Sequence, residues 1–426
     1  MVDGQWAIEL RRDMNDIKIN IMKHIRKPWT MDYKLWTGIL LWTMVCGLWT
    51  NSVALGAWVE TIIDTTSDPQ FVSITIDSDG YARIGYSNSS GFNLNYAAFN
   101  GTGWDIQVVD SDGAVVGWNN SIQVDSDGYS RITYTDFFNE SLKYAAFNGT
   151  GWDIQTIDPA GVGNSSTSLQ IDSDGYSRVS YYDYINEDLK YAAFNGTGWD
   201  IQAINSAGNV GSGSSLVVDS DGYAQISYYD SANGDLKFAQ FNGTGWDIQT
   251  VDSNGDVGGI SSLEIDSDGY ARISYLDNTN NDLKYAAFNG TGWVVQTVDT
   301  DPGTNSSIQV DSNGYAHIAY WNFLGPEVKY AFFNGTGWEI EIIAISNATL
   351  TDRALILYND YAYIPYVTGD GFLAMATNAP QGFVDEPSLN VLGIIIFILI
   401  GLTFMDKSKE KAISFELLAI RNIFPD

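Results

Sequence analysis

The chain has 426 residues, 17% of them charged and 14% aromatic, which is enough to bury a large core. Its net charge of −31 lies wholly between Trp58 and Pro380, where 41 acidic residues face 10 basic ones, and such a surface repels phosphate backbones and excludes a nucleic-acid partner. The one cysteine, Cys46, excludes an intrachain disulfide, so packing and strand pairing must hold the fold.

Residues 1–34 are basic, with Arg26, Lys27 and Lys34 near their end, and read as a cytoplasmic segment or as sequence ahead of a true start at Met31. The apolar run LWTGILLWTMVCGLWT (35–50) follows. Ser52-Val53-Ala54 then puts small residues where a signal peptidase reads, so 35–56 is expected to be a signal peptide or a retained anchor helix. Near the other end, after a linker at 381–388, LNVLGIIIFILIGLTFM (389–405) carries no charge over 17 residues, the short end of the spanning range. Lys407, Lys409 and Lys411 place its far side in the cytoplasm, with 406–426 as a tail. Both signals put residues 57–380 outside the cell.

That middle region repeats. The motif FNGTGWDIQ at 99–107 returns with small changes, so that Trp104, Trp152, Trp199, Trp246, Trp293 and Trp338 recur every 45–48 residues. DSDGY runs in step from Asp77, Asp125, Asp172, Asp219 and Asp266, and as DSNGY from Asp311. Each unit holds four short runs rich in β-formers; in the third these are SLQID, YSRVSYYD, LKYAAFN and WDIQAIN, here strands a to d. Four strands in a unit of ~45 residues is the pattern of a propeller blade. AWVETIID (57–64) matches a lone strand d, and 353–378 supplies a, b and c without d. The expected fold is therefore all-β, a seven-bladed β-propeller over 57–380, closed by an N-terminal strand that completes the last blade and removes an open edge.

The text ISYYD, DLKYA and NGTGW resembles the repeats of bacterial and archaeal cell-surface β-propeller proteins. More loosely it is similar to the sialidase-like Asp-box and propeller-lectin superfamily. The resemblance spans roughly 58–378 and implies the fold; propellers carry many unrelated functions.

Ring closure assigns two faces. The a–b turns (DSDG), the c–d turns (NGTG) and both chain ends share one, the turn face. The b–c and d–a loops share the other, the loop face, which points away from any membrane. In NGTG, Asn and Gly tolerate positive φ, so the motif reads first as a hairpin turn whose tryptophan packs on the neighbouring blade. Asn100, Asn148, Asn195, Asn242, Asn289 and Asn334 are also glycosylation acceptors by pattern. DSDG reads as a turn; a calcium role is the weaker reading, because the distal Glu of a calcium loop is missing, and no other cofactor is implied.

The loop-face segments differ between units, and variation above a uniform frame is where recognition sits. Strand b ends there in Asp136, Asp183, Asp230 and Asp277, with Asn88 and Asn322 equivalent and Tyr182, Tyr229 and Trp321 beside them. Carboxylates next to rings suit sugars; the same carboxylates can instead cap backbone N–H groups of their own loops. Arg83, Arg131, Arg178 and Arg272 on strand b and the lysines of strand c are expected to pair with acids of the blades. The two histidines, His24 and His317, lie far apart in sequence, and no Ser-His-Asp set, phosphate loop or zinc cluster occurs. The sequence reading is thus a membrane-anchored extracellular binding or adhesion module for a surface carbohydrate or a protein partner. A structural envelope component and a sialidase-like glycoside hydrolase are its alternatives.

Overall fold

The computed structural model describes residues 58–379, apart from 67, 90, 113–114, 163–165, 346 and 352. The expected signal or anchor segment, the transmembrane helix and the tail lie outside the described residues. Among those described, no helix is long and apolar enough to cross a membrane.

The first strand, β1 (Val59–Asp64), stands apart in the chain from its own sheet. Four complete blades follow: β2–β5 over Pro69–Asp110, β6–β9 over Val116–Asp158, β10–β13 over Thr167–Asn205 and β14–β17 over Val210–Asp252. Blades five and six, β18–β24 over Val257–Ala344, share one continuous strand, β21 (Trp293–Val310), which is strand d of the fifth and strand a of the sixth. The last sheet takes β25 (Ile356–Tyr358), β26 (Tyr361–Val367) and β27 (Leu373–Thr377), and its outer place is filled by β1, antiparallel to β27 with Val59 opposite Thr377. Seven blades closed by the N-terminal strand are therefore present, as the repeat arithmetic required.

Strand boundaries follow the sequence because punctuation and side-chain alternation agree. Turn DSDG closes on itself: in the second blade the Asp125 N–H donates to the Tyr129 carbonyl, and Asp125 Oδ1 accepts from the Asp127 and Tyr129 N–H groups at 3.1 and 2.8 Å. Strand b buries alternate residues such as Ile132 and Tyr134 on the sheet faces that meet neighbouring blades.

Three sets of contacts join blade to blade. Five of the six motif tryptophans sit edge-on against the strand-c ring of the preceding blade, among them Trp152 on Tyr96, Trp199 on Tyr144 and Trp338 on Tyr285 at 5.1–5.2 Å, while Trp104 meets the ringless strand c of blade seven. Near the axis, serines of strand a accept the backbone N–H of the next strand a: Ser121 from Leu169, Ser168 from Leu216, Ser215 from Leu263 and Ser262 from Ile308, all at 2.9–3.1 Å. Towards the loop face, the aspartate ending strand d accepts from a tyrosine and a lysine of the following blade, as Asp158 does from Tyr181 at 2.8 Å and Lys190 at 3.2 Å.

The innermost strands surround an axial cavity of about 70 Å³. Those of blades one, two, four, five and six bulge near the middle, at Phe71, Asn119, Gly213, Ile260 and Asn305, all of positive φ, and Arg353 just ahead of β25 shares that conformation. For the β-branched Ile260 (φ 46°) this is a strained geometry that only surrounding packing sustains. Arg353 (φ 67°) extends its guanidinium across the axis from blade seven and donates to the Ser214 carbonyl of blade four at 2.7 Å.

Candidate functional site

The loop face is built by strand b delivering one polar residue into a four-residue b–c loop. Asp136, Asp183, Asp230 and Asp277 all lie there, at most 4% exposed. Asp183 shows why. Its Oδ1 accepts the Ile185 and Asn186 N–H groups at 3.1 and 3.0 Å, while Oδ2 takes Asn186 Nδ2 at 2.8 Å and Lys190 Nζ at 2.6 Å. Burial disfavours this carboxylate, but the lysine and asparagine hydrogen bonds win and hold it below its ordinary range. Asp277 repeats the arrangement with Asn280 and Lys284 and is also held low. Asp136 and Asp230 do the same with Asn139 and Asn233. Of the two roles open in the sequence, capping is the one their atoms perform. A sugar hydroxyl has no free edge of these acids to reach.

The other residues of the set divide. Asn322 is buried and its Oδ1 accepts the Leu324 and Gly325 N–H groups at 3.1 Å, while half-buried Asn88 accepts from Gly91. Tyr182 and Tyr229 are half-buried and donate to the next d–a loop, to Asn209 Oδ1 at 2.9 Å and Asp256 Oδ1 at 2.5 Å. Burial and the Asp256 carboxylate push the Tyr229 hydroxyl up to about 12, so it stays a donor. Trp321 is half-buried beside Phe323, its indole N–H buried without a partner.

What the loop face does present is apolar, and the sequence reading passed over it. Blade two offers Phe138, 63% exposed and edge-on to Phe137, which in turn packs on Trp118. Blade three offers Ile185 and Tyr184, the latter donating to Glu140 Oε1 of blade two at 2.9 Å. Blade six offers Phe323 and Leu324, 72% exposed, and blade one offers Phe92. The matching loops of blades four and five, SANG and NTNN, are polar. Large side chains therefore mark blades one to three and, beyond the polar TGDG loop of blade seven, blade six. The signal was available: only in these loops do phenylalanine, isoleucine and leucine replace the Ser/Asn composition of a turn.

On the turn face, the six NGTG asparagines are exposed. Each Oδ1 accepts from the Thr and Gly N–H groups that follow, as Asn195 does at 3.0 and 2.9 Å, and Gly196 takes φ 94°. In four copies the amide Nδ2 donates to the Asp five residues on, and in a fifth to Glu339; Val294 stands at that place after Asn289. The second oxygen of the DSDG aspartate takes an arginine, Arg83 on Asp77 and Arg131 on Asp125 at 2.5 Å. Among the described residues no group of three or more His, Cys, Asp or Glu could hold a metal. His317 stands where other blades have Arg, buried against Tyr330, with burial driving its pKa down.

The molecule is thus a closed seven-bladed β-propeller. No family model and no curated protein matches its sequence. Solved structures do share its fold. An ulvan lyase of a polysaccharide lyase family, bound to -[GlcA(1-4)Rha3S]-, aligns with TM-score 0.51 at 13% identity, covering 75% of this chain and 95% of that one. YCF48 from Cyanidioschyzon merolae aligns at 0.50 and 9% identity, over 75% and 98%. The six-bladed Aleuria aurantia lectin aligns at 0.45 and 14% identity, over 65% and 97%. At these identities the likeness is one of fold.

Proposed function

We propose that this propeller is a non-catalytic binding module at the cell surface and that its loop face holds a protein partner. The observation that carries the reading is the set of exposed Phe138, Ile185 and Leu324 on loops whose polar residues are already engaged. Rings and aliphatic groups gathered on one face are what a protein contact buries. Aliphatic side chains without free hydroxyl acceptors suit a sugar less well. Asp68, Asp112 and Asp370 add exposed negative charge to the same face, and the lysines of strand c are paired inward. The partner surface is therefore basic; a polyanion of the kind bound by the ulvan lyase would be repelled.

On the expected topology, anchors at 35–56 and 389–405 would leave the ring on its turn face, because Val59 and Thr377 pair at that end. The loop face then points outward, as adhesion requires. The test displays the full-length protein against basic and acidic folded proteins and an array of neutral and acidic polysaccharides. Binding to a basic protein is expected, lost on Phe138→Ser with Leu324→Ser and kept on Val108→Ser, an exposed site of the outer rim. Polysaccharide binding lost in the same variant would restore the carbohydrate reading, and binding indifferent to these loops would refute the loop face altogether.

A further inference from the structure

Blade four breaks the repeat at three positions that share one sheet face. In blades one, two, three and five, strand b carries an arginine opposite a strand-c alanine: Arg83 with Ala98, Arg131 with Ala146, Arg178 with Ala193 and Arg272 with Ala287. The guanidinium fills the gap to the next blade and bonds the turn aspartate and the carbonyl ending strand c, as Arg178 does to Asp172 at 2.5 Å and to Phe194 at 2.8 Å. In blade four the pair is Gln225 with Gln240, and Phe238 replaces the strand-c tyrosine. Asp219 keeps its turn bonds at 3.1 and 2.8 Å but meets no arginine.

The vacated gap is a cavity of about 190 Å³ lined by Gln225, Gln240, Gln249, Phe238 and Phe288, with Asp268 and Tyr270 of blade five at its mouth. Gln225 is 4% exposed, yet its carboxamide makes no hydrogen bond to the described residues; the same holds for Gln240. Gln240 is half-buried, and both carboxamides line the cavity, where they stand ready to meet an occupant. Gln249 Oε1 accepts the indole N–H of Trp293 at 3.2 Å, which fixes one wall.

We infer that this gap between blades four and five binds a single neutral sugar unit. Amides offer donors and acceptors together, the complement of hydroxyls that do both. Phe238, Phe288 and Tyr270 add apolar wall for its C–H groups. The cavity has the room of roughly six waters at about 30 Å³ each, which one hexose with its six oxygens replaces. An anion would meet Asp268 and the field of a −31 chain, which a neutral unit escapes. This site lies on the turn side and is independent of the loop-face reading.

The experiment titrates the full-length protein with free glucose, galactose, mannose, fucose, glucosamine and glucuronic acid, read by saturation-transfer NMR. One or more of the neutral sugars is expected to bind saturably, with Kd on the order of 1 mM. Gln225→Arg restores the side chain that other blades use, with Asp219 and the Phe241 carbonyl in place to receive it, so the fold should hold and melt no lower. Binding should fall at least tenfold in that variant. The inference is overturned if no neutral sugar binds, if the charged sugars bind better, or if Gln225→Arg binds as wild type does. Binding lost in Phe138→Ser with Leu324→Ser and retained in Gln225→Arg would overturn it too, by moving the sugar to the loop face.

Discussion

Replacing Glu264 by glutamine tests whether its place beside the axial cavity keeps this carboxyl protonated near neutral pH. Glu264 lies on the innermost strand of blade five. Its Oε1 accepts the Ile265 N–H at 3.1 Å and its Oε2 accepts Gln309 Nε2 at 2.8 Å. Among the described residues around the cavity Arg353 is the one other charged group, and it is bound to the Ser214 carbonyl. Two neutral donors do not offset burial, so the carboxyl is pushed up to about 7 from its ordinary 4.5. Below pH 4.5 both folded and unfolded chains hold this proton and the group has no influence. Between 4.5 and 7 the unfolded chain releases it while the folded chain keeps it, so stability falls as pH rises and levels off above 7. At 1.36 kcal/mol per pH unit that rise is worth about 3 kcal/mol. Glu264→Gln keeps an acceptor for one of the two donors and removes the ionisation. Urea unfolding from pH 4.5 to 8.5 should show the variant matching wild type at the acid end and exceeding it by up to about 3 kcal/mol above pH 7.5. A difference that stays constant with pH, or a glutamine variant weaker at pH 8, would refute the argument.

The loop-end aspartates predict the opposite pH behaviour. Folded Asp183 and Asp277 titrate below their ordinary value, so their contribution is full at neutral pH and is lost as pH falls through the folded pKa, below about 4. Asp277→Asn should cost about 2 kcal/mol at pH 7 by depriving Lys284 of its closer carboxylate, and much less at pH 3, as denaturant midpoints at the two pH values will report. The tryptophan edge contacts predict equality: Trp152→Ala and Trp199→Ala should each lose about 3 kcal/mol and agree within roughly 0.5, because Tyr96 and Tyr144 present the same ring at the same 5.1 Å. Unequal losses in thermal unfolding would show that the two interfaces differ in ways the ring geometry does not capture.

The fold could be read from the sequence because its determinants are local and repeated. DSDG and NGTG impose their turns on their own backbone, the strands between them alternate, and closure by β1 follows from counting an unpaired d against an unpaired a-b-c. The loop-face site could not be read the same way. Asp183 in sequence is a carboxylate at a loop end. That it is committed depends on Lys190 from strand c and on Asp158 from the preceding blade, which no spacing brings together in advance. The positive φ of Ile260 and Arg353 was equally hidden, since neither residue type advertises it.

These hidden contacts share a cause. A residue that recurs through most blades satisfies a structural need that recurs with it: Trp on the ring of the preceding blade, Asp of one blade under Lys of the next, and Arg on the turn aspartate of its own blade. Repetition therefore selects scaffold, and carboxylates chosen because they repeat were already bonded within the frame. A ligand breaks the sevenfold symmetry and has to be met where the repeat fails. Among the places where the described propeller departs from its repeat are the loops that trade Ser and Asn for Phe138, Ile185 and Leu324, and the joint where Gln225, Gln240 and Phe238 stand in for arginine, alanine and tyrosine. The second leaves two amides facing a cavity, where a bound hydroxyl could meet them. Departure from the repeat, more than the repeat itself, is the property to read first in a ring of this kind.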